Sequence, residues 1–339
     1  MKVRQSNFEL IRIIAMLMIV GAHYCGHGVL KVRTSNAYNA FLQGDFFNQI
    51  TTVLYSAGGK TGVALFFMIT GYFLCHKKKL ISQKKIICQS LFYMLLLTSV
   101  TVVIAVLRLS NIVGGGTSLI CCNVNNKGAF VLVLYFGILY GVCGFGTSYY
   151  NILRAPFYYL VGAFIRKRNI ELRTNFQRCF ALLLFVFVWL CYASARYLQI
   201  VHHQDAIFMW KIFVLFSDYL MSGAFIPFIS ISFFLFMASI NFSNEIVNKI
   251  ASTTFGIYLL HDSDIGRKLI WNEIICPEIT LFSLEWYRYA FLSITTIVGI
   301  FIICGLIDLL RQYFFEKRME CRCESFVAKI KEHCFFNKG

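Results

Sequence analysis

Two imidazoles and a guanidinium share one apolar stretch near the start of the chain. Phe8 to Leu30 reads FELIRIIAMLMIVGAHYCGHGVL and carries Arg12, His23 and His27. At ~100° and ~1.5 Å per residue, Arg12 and His23 lie ~20° apart in direction and ~16 Å apart along a helix, with His27 one turn further on the same face. Ionisable groups inside a span are expensive and by default face the bundle interior. The stripe therefore holds a fixed cation near one surface and a titratable imidazole near the other, a layout suited to an anionic donor on one side and proton chemistry deeper in. A second group is Phe255 to Asp262, FGIYLLHD, followed by Asp264 and Arg267. Tyr258 and His261 are three apart and share a helix face, and Asp262 or Asp264 could orient the imidazole of His261. The plainer reading is a helix end reaching water. A third is Phe66 to Tyr72, FFMITGY, where Thr70 offers a hydroxyl and Gly71 a place where another backbone or an acyl chain can approach; taken alone it reads as packing. There is no GxSxG elbow, no GxxxxGK[ST] loop and no HExxH pair, so a hydrolase or an ATP-driven pump has no support.

The elements that must position these residues are membrane spans. Phe8 to Leu30 is long enough to cross the ~30 Å hydrocarbon core. Of 339 residues, 58% are hydrophobic and only 14% charged, and mean hydropathy is +0.67. A soluble domain of this size needs about 25% charged residues. The net charge of +16 is gathered in short segments between apolar runs. These are Lys77 to Lys85, Arg166 to Arg178, and Arg311 to Lys338. Such clusters mark cytoplasmic loops and face anionic head groups, which argues against nucleic acid as a partner. The 13 cysteines lie mostly in apolar runs or the tail, and Cys321-Arg322-Cys323 has no second pair, so no metal site is read. No cleavable signal is evident.

Taken in order, the first span runs outward and Lys31 to Lys60 forms an external loop. Thr61 to Cys75 returns, and Ile86 to Leu107 goes out. Gly128 to Gly146 is either re-entrant or preceded by another crossing between Leu109 and Lys127. Tyr149 to Ile165 is a span ending at Arg166-Lys167-Arg168. Cys179 to Gln199 goes out, Ile207 to Tyr219 is short or interfacial, and Ser222 to Ile240 comes back. Asn241 to Lys249 is a polar turn, Thr253 to Ile270 goes out, and Glu285 to Tyr313 returns. The expectation is an all-α polytopic transmembrane helical bundle of eight to ten spans with both termini cytoplasmic, made of one membrane domain (1–315) and a basic cytoplasmic tail (316–339).

The chain resembles the integral-membrane acyltransferase family 3, bacterial O-acyltransferases that decorate surface glycans. The resemblance rests on Arg12, ten residues, then His23; on GVALFFMITGYFL (Gly62 to Leu74); on YLVGAFIRKRN (Tyr159 to Asn169); and on FGIYLLHDSDIGRKLIW (Phe255 to Trp271). It implies transfer of an acyl group, usually acetyl from cytoplasmic acetyl-CoA, to a sugar hydroxyl of a cell-surface or exported polysaccharide, in a bacterial plasma membrane. On that reading His23 is the catalytic base or acyl relay and Arg12 holds the donor. His261 is a second catalytic candidate with Tyr258 beside it, and Thr70 and Tyr72 are further donor-side candidates. Two features of many relatives are not found: an RxxR pair after the second span, where Lys84-Lys85 stands, and an aromatic segment before Tyr159, where the glycine-rich stretch from Asn111 to Asn151 stands. The rival readings are a transporter or flippase using buried Arg and His, against which the lack of an internal repeat counts, and an inactive family scaffold.

Overall fold

The computed structural model describes residues 5–30, 35–75, 92–93, 96, 150–202, 209–210, 213, 221–274 and 282–315. Among these every regular element is helical: α1 (Ser6–His23), α2 (Ser35–Gln43), α3 (Phe46–Ser56), α4 (Gly58–Leu74), α5 (Tyr150–Lys167), α6 (Asn175–Val201), α7 (Ile226–Ala238), α8 (Glu245–Ala251), α9 (Thr254–His261), α10 (Asp264–Arg267) and α11 (Trp286–Phe314). Among the described residues, four segments are long and apolar enough to cross a membrane: Ser6–Val29, Phe46–Leu74, Asn175–Val201 and Trp286–Phe314, with a shorter apolar helix at Gly223–Ala238. Most of the expected segments at Ile86 to Leu107 and Ile207 to Tyr219, and all of Leu109 to Lys127, Gly128 to Gly146 and the tail 316–339, lie outside the described residues.

Three sequence expectations are corrected. Lys31 to Lys60 is not simply a loop, because α2 and α3 occupy it and α3 runs through Ala57 into α4 as one 29-residue apolar segment. Polar α3 side chains concealed this, yet they are buried against carbonyls: Asn48 Nδ2 donates to Leu284 O at 2.6 Å and Gln49 Nε2 to Phe41 O at 2.7 Å. Asn241 to Lys249 is a turn only to Asn244, whose carboxamide caps α8 through the amides of Ile246 and Val247. Thr253 to Ile270 is not one helix. It breaks after His261 and continues through α10 into a π-helix at Lys268–Ile274.

Small residues set the spacing of the bundle. A side chain at Gly71 would run into the carbonyl of Tyr159, and one at Gly162 into the carbonyl of Met68, so α4 and α5 meet backbone to backbone. At the same end Tyr72 packs on Phe8 of α1 and on Phe234 of α7, at centroid distances of 4.8 and 5.7 Å. The start of α1 is pinned there too, Ser6 Oγ donating to Asn248 Oδ1 at 2.9 Å and the amide of Asn244 donating to Ser6 Oγ at 2.7 Å. The opposite end is closed by Phe46 on Tyr197 and Phe47 on Trp286. Large apolar side chains along α6 and α11, Phe180, Phe187, Ile303 and Leu306 among them, point outward as a lipid-facing surface requires.

Candidate active site

Two irregular stretches of backbone meet at this site. After His23, α1 loosens into a π-helical turn at Tyr24–Val29, a form that recurs at functional sites. Opposite it α9 stops at His261. Ser263 begins the next turn, its Oγ accepting from the amide of Gly266 at 3.0 Å. A side chain at Gly266 would strike the carbonyl of Leu260, so the sharp break requires glycine.

The break brings His261 to His23. Nε2 of His261 lies 3.1 Å from Nδ1 of His23, and Nδ1 of His261 lies 2.6 Å from the carbonyl oxygen of Ile257. A carbonyl only accepts, so Nδ1 of His261 carries the proton and, in the neutral ring, Nε2 accepts. His23 then donates from Nδ1 and keeps the lone pair on Nε2. Asp262 Oδ1 stands 3.4 Å from the same Nδ1 of His23, and Arg267 fixes that carboxylate through Nε and Nη2, each at 2.8 Å. His261 is fully buried, while the side chain of His23 keeps 19% of its surface accessible. The outer member of the chain is thus the one a substrate can reach. Tyr258 presents its ring edge to His261 at 6.3 Å, and His27 lies 5.1 Å from the His23 ring.

His23, His27 and Asp262 bring possible metal-ligand atoms within 4.8 Å of one another. Arg267 supplies positive charge to the Asp262 carboxylate, and His261 engages His23.

The sequence candidates fall into two groups. His23, His261 and Asp262 come together, with Tyr258 and His27 beside them. Arg12, Thr70 and Tyr72 lie away from them, toward the end where α1 begins. Arg12 pairs with Glu9 at 3.0 Å and stays 30% exposed. Tyr72 accepts a hydrogen bond from Arg166 Nη1 at 3.0 Å, with the guanidinium 5.0 Å from its ring centroid. Thr70 is exposed and donates to the carbonyl of Phe66. Asp264 has no described side chain.

One cluster was not read from sequence. Asp308 and Arg311 are buried on α11 and joined at 2.7 Å. Tyr93 and Gln312 also donate to Asp308, at 2.6 and 2.8 Å, and Asp308 fills the space beside Gly256 of α9. Its signal was an aspartate three residues before an arginine within an apolar run.

Residues 5–120 match the family described as an acyltransferase domain. No curated protein and no solved structure matches the chain. The matched stretch contains Arg12, His23, Thr70 and Tyr72, and over residues 5–120 the chain is similar to that acyltransferase family.

Proposed function

We propose that the protein moves an acetyl group from acetyl-CoA, its acyl-CoA substrate, to a sugar hydroxyl of a cell-surface or exported polysaccharide. The observation that carries this reading is the directed chain Ile257 O, His261, His23, which leaves a lone pair on Nε2 of the more accessible ring. A sugar hydroxyl is a poor nucleophile at neutral pH and needs a base beside the reacting carbonyl. Nε2 of His23 takes the hydroxyl proton as the oxygen attacks the thioester carbonyl. The C–S bond then breaks, and the proton passes from the imidazolium to the departing thiolate, giving the ester and free coenzyme A. Asp262 stabilises the imidazolium and, with His261, holds the ring in the useful tautomer. Arg12, Thr70, Tyr72 and the neighbouring Arg166 suit the phosphates of the donor.

The test uses the full chain in lipid nanodiscs with acetyl-CoA labelled in the acetyl group, wild type against His23→Ala, following free coenzyme A and labelled glycan. Turnover should fall about a hundredfold to ten-thousandfold in the variant. Unchanged turnover would remove His23 from the chemistry. Coenzyme A binding without turnover in the wild type would favour an inactive scaffold, and absence of both would favour a transporter.

A further inference from the structure

An exposed face of α5 carries a second feature. Phe157, Leu160, Val161 and Phe164 recur at helical spacing, and with Ile231 and Leu235 of α7 they line a wholly apolar groove of about 440 Å³. Phe157, Leu160 and Phe164 remain about half exposed. The groove ends where α5 does. Asn169 takes a left-handed conformation (φ 48°), and the amide of Ile170 bonds back to the carbonyl of Ile165, laying Ile170 across the end of the groove. The same turn places the Arg168 guanidinium 5.9 Å from the centroid of the Phe164 ring, itself a groove wall. From Arg166 to Arg178 there are five cations and one acid, Glu171. Arg166 is engaged by Tyr72 and Arg178 by the carbonyl of Leu172, while Lys167, Arg168 and Arg173 are exposed.

We propose that this groove is a binding site for an anionic glycerophospholipid, with one acyl chain between α5 and α7 and the phosphate against Arg168 and Lys167. An apolar slot alone would take any acyl chain. The cation fixed over its wall selects the headgroup, because opposite charge near the membrane surface favours anionic lipids. Arg is suited to the role, its planar fork matching phosphate oxygens while its face rests on an aromatic ring. The site is independent of the histidine cluster and of the acyl-transfer reading.

The test is native mass spectrometry of the full-length protein released from nanodiscs of equal phosphatidylglycerol and phosphatidylcholine. Wild type should retain phosphatidylglycerol preferentially. Arg168→Gln with Lys167→Gln should cut that preference about fivefold for each cation removed, and Leu160→Trp, which fills the groove from an exposed position, should cut retention of the lipid itself. All three changes are at exposed residues, and a monodisperse protein peak confirms folding before lipid is counted. Equal retention of both lipids by wild type would overturn the proposal. So would a preference unchanged by the double charge variant, or lipid retention unchanged by Leu160→Trp.

Discussion

His23 is oriented by a residue 238 positions away, and the contact gives each ring a separate task. His261 is buried with its Nδ1 committed to a carbonyl, which suits it to position rather than to react. His261→Ala should lower acyl transfer about tenfold to a hundredfold by freeing the ring of His23, less than His23→Ala itself. Acetyl-CoA affinity should be unchanged, as equilibrium dialysis would show. Asp262→Asn should keep the protein folded and lower kcat more than it raises KM, because the imidazolium loses its carboxylate; a rise in KM alone would make Asp262 a binding residue. Arg12, His23 and His27 were legible because charge stands out in an apolar run. The pairing of His23 with His261 was not, since sequence spacing carries no information on which spans are neighbours. For the same reason the setting of Asp308 passed unread, since Tyr93, which donates to it, comes from a stretch 215 residues away. Asp308→Ala leaves Arg311 buried without its carboxylate and should cost about 3–5 kcal/mol, read as a lower thermal midpoint in detergent.

At the scale of elements, periodicity and length located α1, α4, α5, α6, α7 and α11 to within a few residues. They failed where helices are short, broken or lined with satisfied polar groups. Asn48, Gln49 and Thr52 make α3 read as loop, although all three are buried. The break after His261 is written in Ser263 and Gly266, but a single glycine in an apolar run does not distinguish a kink from close packing. Gly71 and Gly162 are of the second kind, each facing a carbonyl of the other helix. Gly162→Leu should force α4 and α5 apart at about 1–3 kcal/mol or more. The expected signs are lower monodisperse yield and a lower thermal midpoint, whereas Gly223→Leu, which meets open space, should be nearly silent.

For the whole molecule, hydrogen bonds tie the first quarter of the chain to the last third. Asn48 bonds to the carbonyl of Leu284, Tyr55 to Ser293, Ser6 to Asn248, and His23 to His261. This arrangement puts the connections at Asn169 and Asn241 at one end of the bundle and Asp45 and Glu285 at the other. Single cysteines at these positions, in a cysteine-depleted background, should react with an impermeant thiol reagent from opposite sides of sealed vesicles. Asn169 and Asn241 should share one side. The pattern of separations also carries a consequence for biosynthesis. Ribosomes add about 5–20 residues per second, so the first span waits roughly 12–48 s in the membrane before residue 261 is made. Throughout that interval His23 has neither His261 nor the Asp262 carboxylate. The cluster becomes complete only once Arg267 has been translated, so a chain terminated before it lacks an assembled site.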